Sequence, residues 1–571
     1  MENTQIATVF DDIADSLEIL GENAFRIRSY RNAARAIRDM TERLADLVAA
    51  EADLKKLPGI GESLAGKIHE ILASGTCQTL EDLKKRLPAH LTDLLRVKGL
   101  GPKRAKLLYE KLDIKGIEDL KKAATEGRIR GVEGMGEKTE QNILKGIATL
   151  EVVAGRIGIR EAAEQAAALE RHLATIPAIK RFEVSGSFRR RRETIGDLDF
   201  LIEADDRAAA AEGILKYQPI EEVQSRGEEK VTVTLAGGLQ VDFRFIEADS
   251  FGAALMYFTG SKAHNIVLRK RAQKDDLKLN EYGLFRGEKR LAGKTEEEVM
   301  KALGLEWIPP ELREDRGEVD AAAAGKLPRL IERKDLRGDL HAHTDATDGV
   351  NTLAEMAQAA CDRGYDYVAM TNHSKAVTVA HGLNDAALQK HADAVREYGS
   401  SLGKFWLLAG VEVDILKDGR LDISEKVLAG LDWVVASVHS AFELSEDKMT
   451  DRLIAAVKSG VIHALGHPFG RLIGQRDPIR FDVDRVFAAC KEADVCLEVN
   501  SYPDRLDLPD VYCKRAKEMG LTMVISTDSH RTLDFDLIHF GVDVARRGWL
   551  EKGDVLNTLS AAGLKKRLKR K

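Results

Sequence analysis

The sequence predicts a multi-domain chain: an all-helical amino-terminal part, an α/β domain behind it, and a carboxy-terminal barrel of parallel strands, (β/α)7 in plan. Three observations predict this. Glycine pairs interrupt a helical pattern repeatedly before residue 150. Aspartates alternate along adjoining strand patterns near residue 200. After residue 335, seven short apolar runs alternate with helical stretches and end at polar, mostly histidine, positions.

Composition narrows the class. The chain has 571 residues, long enough for several domains. No apolar run approaches a membrane span and no signal-peptide core opens the sequence, so no membrane partner is expected. Five scattered cysteines without paired spacing point to a reducing, cytoplasmic setting rather than a disulfide framework or zinc ribbon. A net charge of −6 means that any nucleic-acid binding comes from local patches and backbone contacts.

In the first segment, Ile6, Val9, Ile13, Leu17 and Leu20 fall at helical spacing. Leu57-Pro58-Gly59-Ile60-Gly61 then precedes an amphipathic helix from Leu64 to Leu72. Val97-Lys98-Gly99-Leu100-Gly101-Pro102 leads into another, and Val132-Glu133-Gly134-Met135-Gly136 repeats the pattern. Such a hairpin aims backbone N–H groups at a helix start towards a phosphate without reading bases. One Gly-x-Gly is an ordinary turn; three in one helical region point to binding of the DNA backbone.

An alanine-rich helix, Glu161 to Leu173, leads to the α/β domain. Arg181 to Val184 reads as a strand that breaks at Gly186-Ser187, and Asp197 to Ile202 as the next, with Asp197 and Asp199 on one face. Val231 to Ile246 reads as a hairpin about Gly237-Gly238 whose second arm carries Asp242 and Arg244. Three carboxylates on neighbouring strands repel unless cations lie between them, and oxygen ligands suit Mg²⁺. The Gly186-Ser187 turn offers N–H groups and a hydroxyl to phosphate, with arginines beside it. Together these parts describe two-metal nucleotidyl transfer. Taken alone, Asp-x-Asp is more often an acidic surface patch. Alanines and mixed charge between 316 and 334 read as a tether.

In the last segment the seven runs end near His343, His373, Glu412, His439, His467, Asn500 and His530. A closed barrel gathers such ends around one mouth. His341 and His343 share a strand face with Asp348 just beyond, and Asp528 and His530 repeat that spacing. Imidazole mixed with carboxylate suits Mn²⁺, Fe²⁺ or Zn²⁺, and such clusters activate water on phosphoryl groups. Arg471 and Lys375, in loops near the same mouth, read first as plain surface charge, with a hold on a phosphate as the alternative.

The string Gly186 to Phe200 resembles the palm of family X DNA polymerases, the polymerase β relatives, and the last segment resembles the PHP (polymerase and histidinol phosphatase) domain. The order of parts is similar to bacterial family X polymerases with a carboxy-terminal PHP domain. The resemblance implies a lyase-like helix-hairpin-helix domain at 1–80 and a second such domain at 81–150. A nucleotidyltransferase palm at 151–255 and a thumb at 256–315 follow, then the tether and a distorted TIM-like PHP barrel at 335–571. It implies Gly186, Ser187 and Arg190 on the triphosphate and Asp197, Asp199 and Asp242 as the metal triad, with Asp242 as general base. Tyr257-Phe258-Thr259-Gly260-Ser261 looks like the turn that reads the sugar, and Asn265 and Arg269 match residues at the minor-groove edge. Arg244 with Glu281-Tyr282 resembles a switch pair. Lys262 departs from the polymerase β pattern, being a cation where an acid is usual.

Tyr30-Arg31-Asn32-Ala33-Ala34 matches the lyase domain, and Lys67 falls on its Schiff-base lysine, although Arg26 and Ser63 replace two phosphate-gripping lysines. Gly59, Gly61, Gly99 and Gly101 would bind the DNA backbone. In the barrel the resemblance implies one site of His341, His343, Glu412 and Asp528, and a second of Asp348, His373 and His530. Glu412 would bridge to a third with His439 and His467. The implied protein is a monomer that fills short gaps in primed DNA with dNTPs. Two Mg²⁺ ions would serve the palm, and Mn²⁺ or Zn²⁺ a 3′–5′ exonuclease that also cuts abasic sites and trims blocked 3′ ends. For the barrel, a small-molecule phosphatase and a silent metal scaffold stay open as alternatives.

Overall fold

Glycine sets the helix starts of the amino-terminal part. In the computed structural model, Gly61 and Gly101 are extended caps (φ −85° and −80°) ahead of the helices Glu62–Ser74 and Pro102–Leu112, and Gly136 precedes Glu137–Val153. The structure describes residues 3–39, 44–49, 52–56, 60–88, 91–97, 100–153 and 156–568, so Gly59 and Gly99 lie outside the described residues. The chain divides into two units, Met1–Gly155 and Arg156–Lys571. Within the first, the amphipathic helices close around two cores. Ile6, Phe10, Ile13, Leu17 and Ile68 belong to one, and Leu94, Leu108, Leu120 and Ile143 to the other.

The second unit opens with the helix Ile159–Leu173 on a five-stranded sheet: β1 (Ile179–Val184), β2 (Asp197–Ala204), β3 (Ile220–Arg226), β4 (Lys230–Leu235) and β5 (Gln240–Phe245). Their order is β1-β2-β5-β4-β3, with only β2 and β5 parallel. Leu198, Phe200 and Ile202 turn into the core, so the alternating Asp197 and Asp199 stay on the other face. The helices Phe251–Thr259 and Lys262–Lys274 follow, then a three-stranded antiparallel sheet within 278–292 and the helix Glu296–Ala302.

The stretch 316–334 is not a tether. Its helix Glu318–Ala323 buries Val319 and Ala322 in the same core as Leu268, Leu284 and Val299, and Ile331 joins the core shared by sheet and barrel. Alanine and mixed charge read as a linker in sequence, but the charges that open the stretch are engaged, Arg316 with Asp510 at 3.0 Å. The carboxylate of Glu318 sits 2.6 Å from Nδ1 of the buried His264, and Arg313, just ahead, pairs with Glu296.

Seven parallel strands form the barrel in chain order: β6 (Gly338–Ala342), β7 (Tyr367–Met370), β8 (Trp406–Asp414), β9 (Trp433–Ser437), β10 (Ala464–Leu465), β11 (Cys496–Asn500) and β12 (Met523–Ser526). Nearly every residue on them is buried, as expected for parallel strands covered by helices outside and side chains within. The His343 amide donates to the Ser529 carbonyl at 2.7 Å, bringing the first strand back to the last. Among the described residues no helix is long and apolar enough to cross a membrane.

Candidate active sites

The parallel register of β2 and β5 sets Asp199 directly beside Asp242. Asp242 is almost fully buried and its carboxylate is heavily engaged. Thr232 Oγ1 donates to Oδ1 at 2.8 Å, while Lys230 Nζ and Arg244 Nη2 approach Oδ2 at 2.6 and 3.2 Å. Arg244 Nε lies 3.9 Å from Asp199. Burial first, and the Asp197 carboxylate second, push the Asp199 carboxyl up to about 7. A carboxyl raised by burial beside like charges is one that a divalent cation would return to the anion, so the triad fits such an ion. Gly186 is in the left-handed region (φ +66°), and a Cβ there would stand 2.7 Å from Asp199 Oδ2; only glycine lets this turn approach the acid.

The other palm and thumb candidates lie around this face. Ser187 sits in the short turn Gly186–Arg189. Arg190 points its Nε at Glu314 Oε1 (3.1 Å) and also donates to the Thr259 carbonyl, so its guanidinium lies beside the Tyr257–Gly260 turn. Tyr257 and Phe258 meet edge to face, and Arg244 stacks on Phe258 at 4.4 Å. Asn265 donates to the Tyr257 carbonyl at 2.7 Å, and exposed Arg269 follows one helical turn on. Lys262 is exposed at the start of its helix. In the first unit, Lys67 donates to Ser63 Oγ at 2.9 Å.

At the barrel mouth nine side chains gather, with the Glu412 carboxylate among them. Glu412, at the end of β8, has five imidazoles within 3.6 Å: His341, His343, His373, His439 and His467. His343 Nε2 lies 3.1 Å from Asp528, while Asp348 faces His373 at 3.3 Å and His530 at 3.4 Å. Three sets have donor atoms within 4.8 Å of one another: His341, His343, Glu412 and Asp528; His343, Asp348, His373 and His530; and His373, Glu412 and His439. His467 reaches Glu412 at 2.9 Å from the other side.

Several of these atoms are buried with no hydrogen-bond partner, among them Nε2 of His341 and His343, Glu412 Oε2 and Asp528 Oδ1. Leaving so many polar atoms unmatched is costly unless a cation takes them, so the donor set fits a metal cluster. Burial, and the nearby His530 and His373, lower the His343 imidazole to about 4. At His341, His373, His439 and His530 the neighbouring carboxylates outweigh burial and raise the imidazoles, holding there the positive charge that a bound cation would replace. Asp528 (φ +55°) and His467 (φ +26°) hold strained backbone, of the kind that concentrates at functional sites.

Supporting residues went unread in the sequence. Glu498 accepts from His341 Nδ1 at 2.7 Å, Asp414 faces His439 Nδ1 at 3.1 Å, and Asn500 donates to Asp528 at 3.1 Å. Each fixes the orientation of a ligand. Their signal was available: Glu498 and Asn500, and Glu412 and Asp414, stand two apart on inward strand faces. Arg471 does not serve as a free phosphate anchor. Its guanidinium is taken by the carbonyls of Arg505 and Leu506 and by Glu193 of the palm. Lys375 pairs with Asp385 at 3.4 Å.

A mixed sheet with paired aspartates and a barrel ringed by imidazoles define a chain with two centres for phosphoryl chemistry. Family models match in the same order: a helix-hairpin-helix domain at residues 1–77, a SAM-like helix-hairpin-helix tandem at 91–149, a DNA polymerase beta thumb at 254–314 and a PHP domain at 339–502. The DNA polymerase/3′-5′ exonuclease PolX of Bacillus subtilis (strain 168) is 36% identical over 574 residues, covering the whole of both chains. The chain belongs to the PolX family of DNA polymerases with 3′-5′ exonuclease. A "Probable phosphatase" of Thermoanaerobacter sp. (strain X514) is 30% identical over 38% of this chain and 89% of its own. DNA polymerase lambda of Arabidopsis thaliana is 26% identical over 54% of this chain and 62% of its own.

Proposed function

We propose that this chain fills short gaps in DNA, extending a primer 3′ end at the palm and removing 3′-terminal nucleotides at the barrel. One observation carries the reading: the chain holds two centres of different chemistry. One is built on Asp199 beside Asp242, the other on Glu412 among five imidazoles. Divalent cations, when bound, would supply Lewis acidity and ease ionisation of the attacking hydroxyl or water. All-oxygen Asp197, Asp199 and Asp242 suit Mg²⁺, and the mixed barrel set suits Mn²⁺ or Zn²⁺.

In the palm, Asp242 accepts the proton of the primer 3′-hydroxyl, and Thr232 and Lys230 hold its carboxylate in place. That hydroxyl attacks the α-phosphorus of the dNTP in line, and pyrophosphate leaves. Gly186, Ser187 and Arg190 bind the triphosphate. Tyr257, Phe258 and Gly260 crowd the 2′ position of the sugar, and Asn265 and Arg269 face the minor groove of the new pair. Lys262 draws the nucleotide in before DNA arrives. The hairpins at Gly59 and Gly61, and at Gly99 and Gly101, grip the backbone on either side of the gap, with Lys67 as lyase nucleophile.

The test is one gel series on gapped, primed DNA with the parent, Asp242→Ala and Asp528→Ala, each with and without dNTPs. Asp242→Ala should abolish extension and leave digestion; Asp528→Ala should do the reverse. Loss of both activities in either well-folded variant overturns the two-centre reading. For the barrel, likeness to the Thermoanaerobacter protein favours a second reading, hydrolysis of small phosphate monoesters. Faster turnover of a monoester than of a DNA 3′ end would select it.

A further inference from the structure

The loop between the phosphate turn and β2, residues 190–193, is held from outside the palm. The buried Arg547, at the end of the barrel helix Ile538–Arg547, donates to the Arg190 carbonyl at 2.6 Å and to Glu314 at 3.0 Å; it also pairs with Asp510 at 2.7 Å. Glu314 in turn accepts from Arg190 Nε and lies 3.9 Å from Arg192. Arg191, in the left-handed region (φ +57°), faces Asp543 of the same barrel helix at 3.8 Å. Glu193 receives Arg471 through both nitrogens, at 2.7 and 3.4 Å. The Arg192 amide closes the loop back onto the Ser187 carbonyl at 3.1 Å.

The barrel side of this seam starts at the hydrolytic mouth. Arg471 lies just past His467, and its Nε and Nη2 also tie down the carbonyls of Arg505 and Leu506. Arg505 itself approaches Asp528 at 3.7 Å. An exposed ion pair adds little on its own. Here, however, a buried guanidinium and a bidentate pair act on one short loop whose conformation decides where Ser187 and Arg190 stand.

We propose that the barrel is a working part of the polymerase centre. Arg547 and Arg471 are positioning residues that hold loop 190–193, and through it Ser187 and Arg190, where the triphosphate needs them. This rests on the reading that those two residues bind the triphosphate.

The test uses full-length protein and steady-state extension of gapped DNA, with KM for dNTP and kcat read separately, alongside DNA affinity and melting temperature. Glu193→Arg and Arg471→Glu should each raise KM for dNTP about tenfold with DNA affinity unchanged, and the double reversal should recover most of the loss. Arg547→Lys, which keeps the charge but not the fork, should raise KM in the same direction. Unchanged KM in the reversals, or a double variant no better than the sum of its singles, overturns the proposal. So does a loss confined to kcat in step with a lower melting temperature, which marks a purely structural bond. Arg190→Ala separates the underlying reading. If it raises KM and the seam variants do not, only the positioning role fails; if it leaves KM unchanged, the triphosphate assignment fails and the proposal with it.

Discussion

Single atoms decide the palm. Gly186→Ala would place a methyl group 2.7 Å from Asp199 Oδ2 on backbone that disfavours any side chain. The turn or the carboxylate must shift, and a displacement of about 1 Å at a reacting centre costs about a hundredfold in rate. Extension should fall by that order while digestion of a 3′ end continues, read on the same gel. Glu296 is the opposite case, a charge that serves stability. Nearly buried, it accepts from Arg189, Arg313 and Trp307. Burial opposes its ionisation, but Arg313 and Arg189 outweigh that and hold the carboxyl far below its ordinary 4.5. A depressed carboxyl adds stability above its unfolded pKa and loses it as pH falls towards the folded value. Glu296→Gln should therefore cost most above about pH 5, about 3–5 kcal/mol of stability seen as a lower melting temperature, and less in acid. A deficit independent of pH would refute the ion-pair account.

Strands set the barrel chemistry. Alternation brings Glu412 and Asp414 of β8, and Glu498 and Asn500 of β11, to the inner face. A slip of one residue in either strand would turn that strand's pair away. Glu498 orients His341 through Nδ1, leaving Nε2 for the cluster. Glu498→Gln keeps the shape and removes the charge, and the expected result is metal affinity about 10–100-fold weaker. Metal content after dialysis against a chelator reads this directly. Digestion should fall with it, and primer extension in Mg²⁺ should stay near the parent.

At the scale of the molecule, palm, thumb and barrel are joined by packed chain. Val319, Ala322 and Ile331 are buried within the stretch that composition marks as a linker. A short Gly-Ser insertion after Gly325 should thus lower the melting temperature measurably, where a true tether would absorb it without effect. The charged seam on loop 190–193 gives the same joint its polar side, with Arg547 as its buried centre.

What the sequence determined by itself is what depends on local rules. Period-two alternation told that Asp197 and Asp199 share a face, Gly-x-Gly marked helix starts, and polar residues closing apolar runs announced a barrel mouth. Tertiary structure alone decided what depends on partners distant in the chain. Arg471 reads in sequence as surface charge or a phosphate anchor, and only the fold brings Glu193 to it, 278 residues away. Residues 316–334 read as a tether because alanine and paired charge look alike whether solvated or buried. The strand face of Glu498 and Asp414 is legible in sequence, but their role as ligand supports is not, because an acid on a strand declares its role only when an imidazole from another part of the chain arrives beside it. Local pattern fixes which face a side chain takes; only packing brings two faces together.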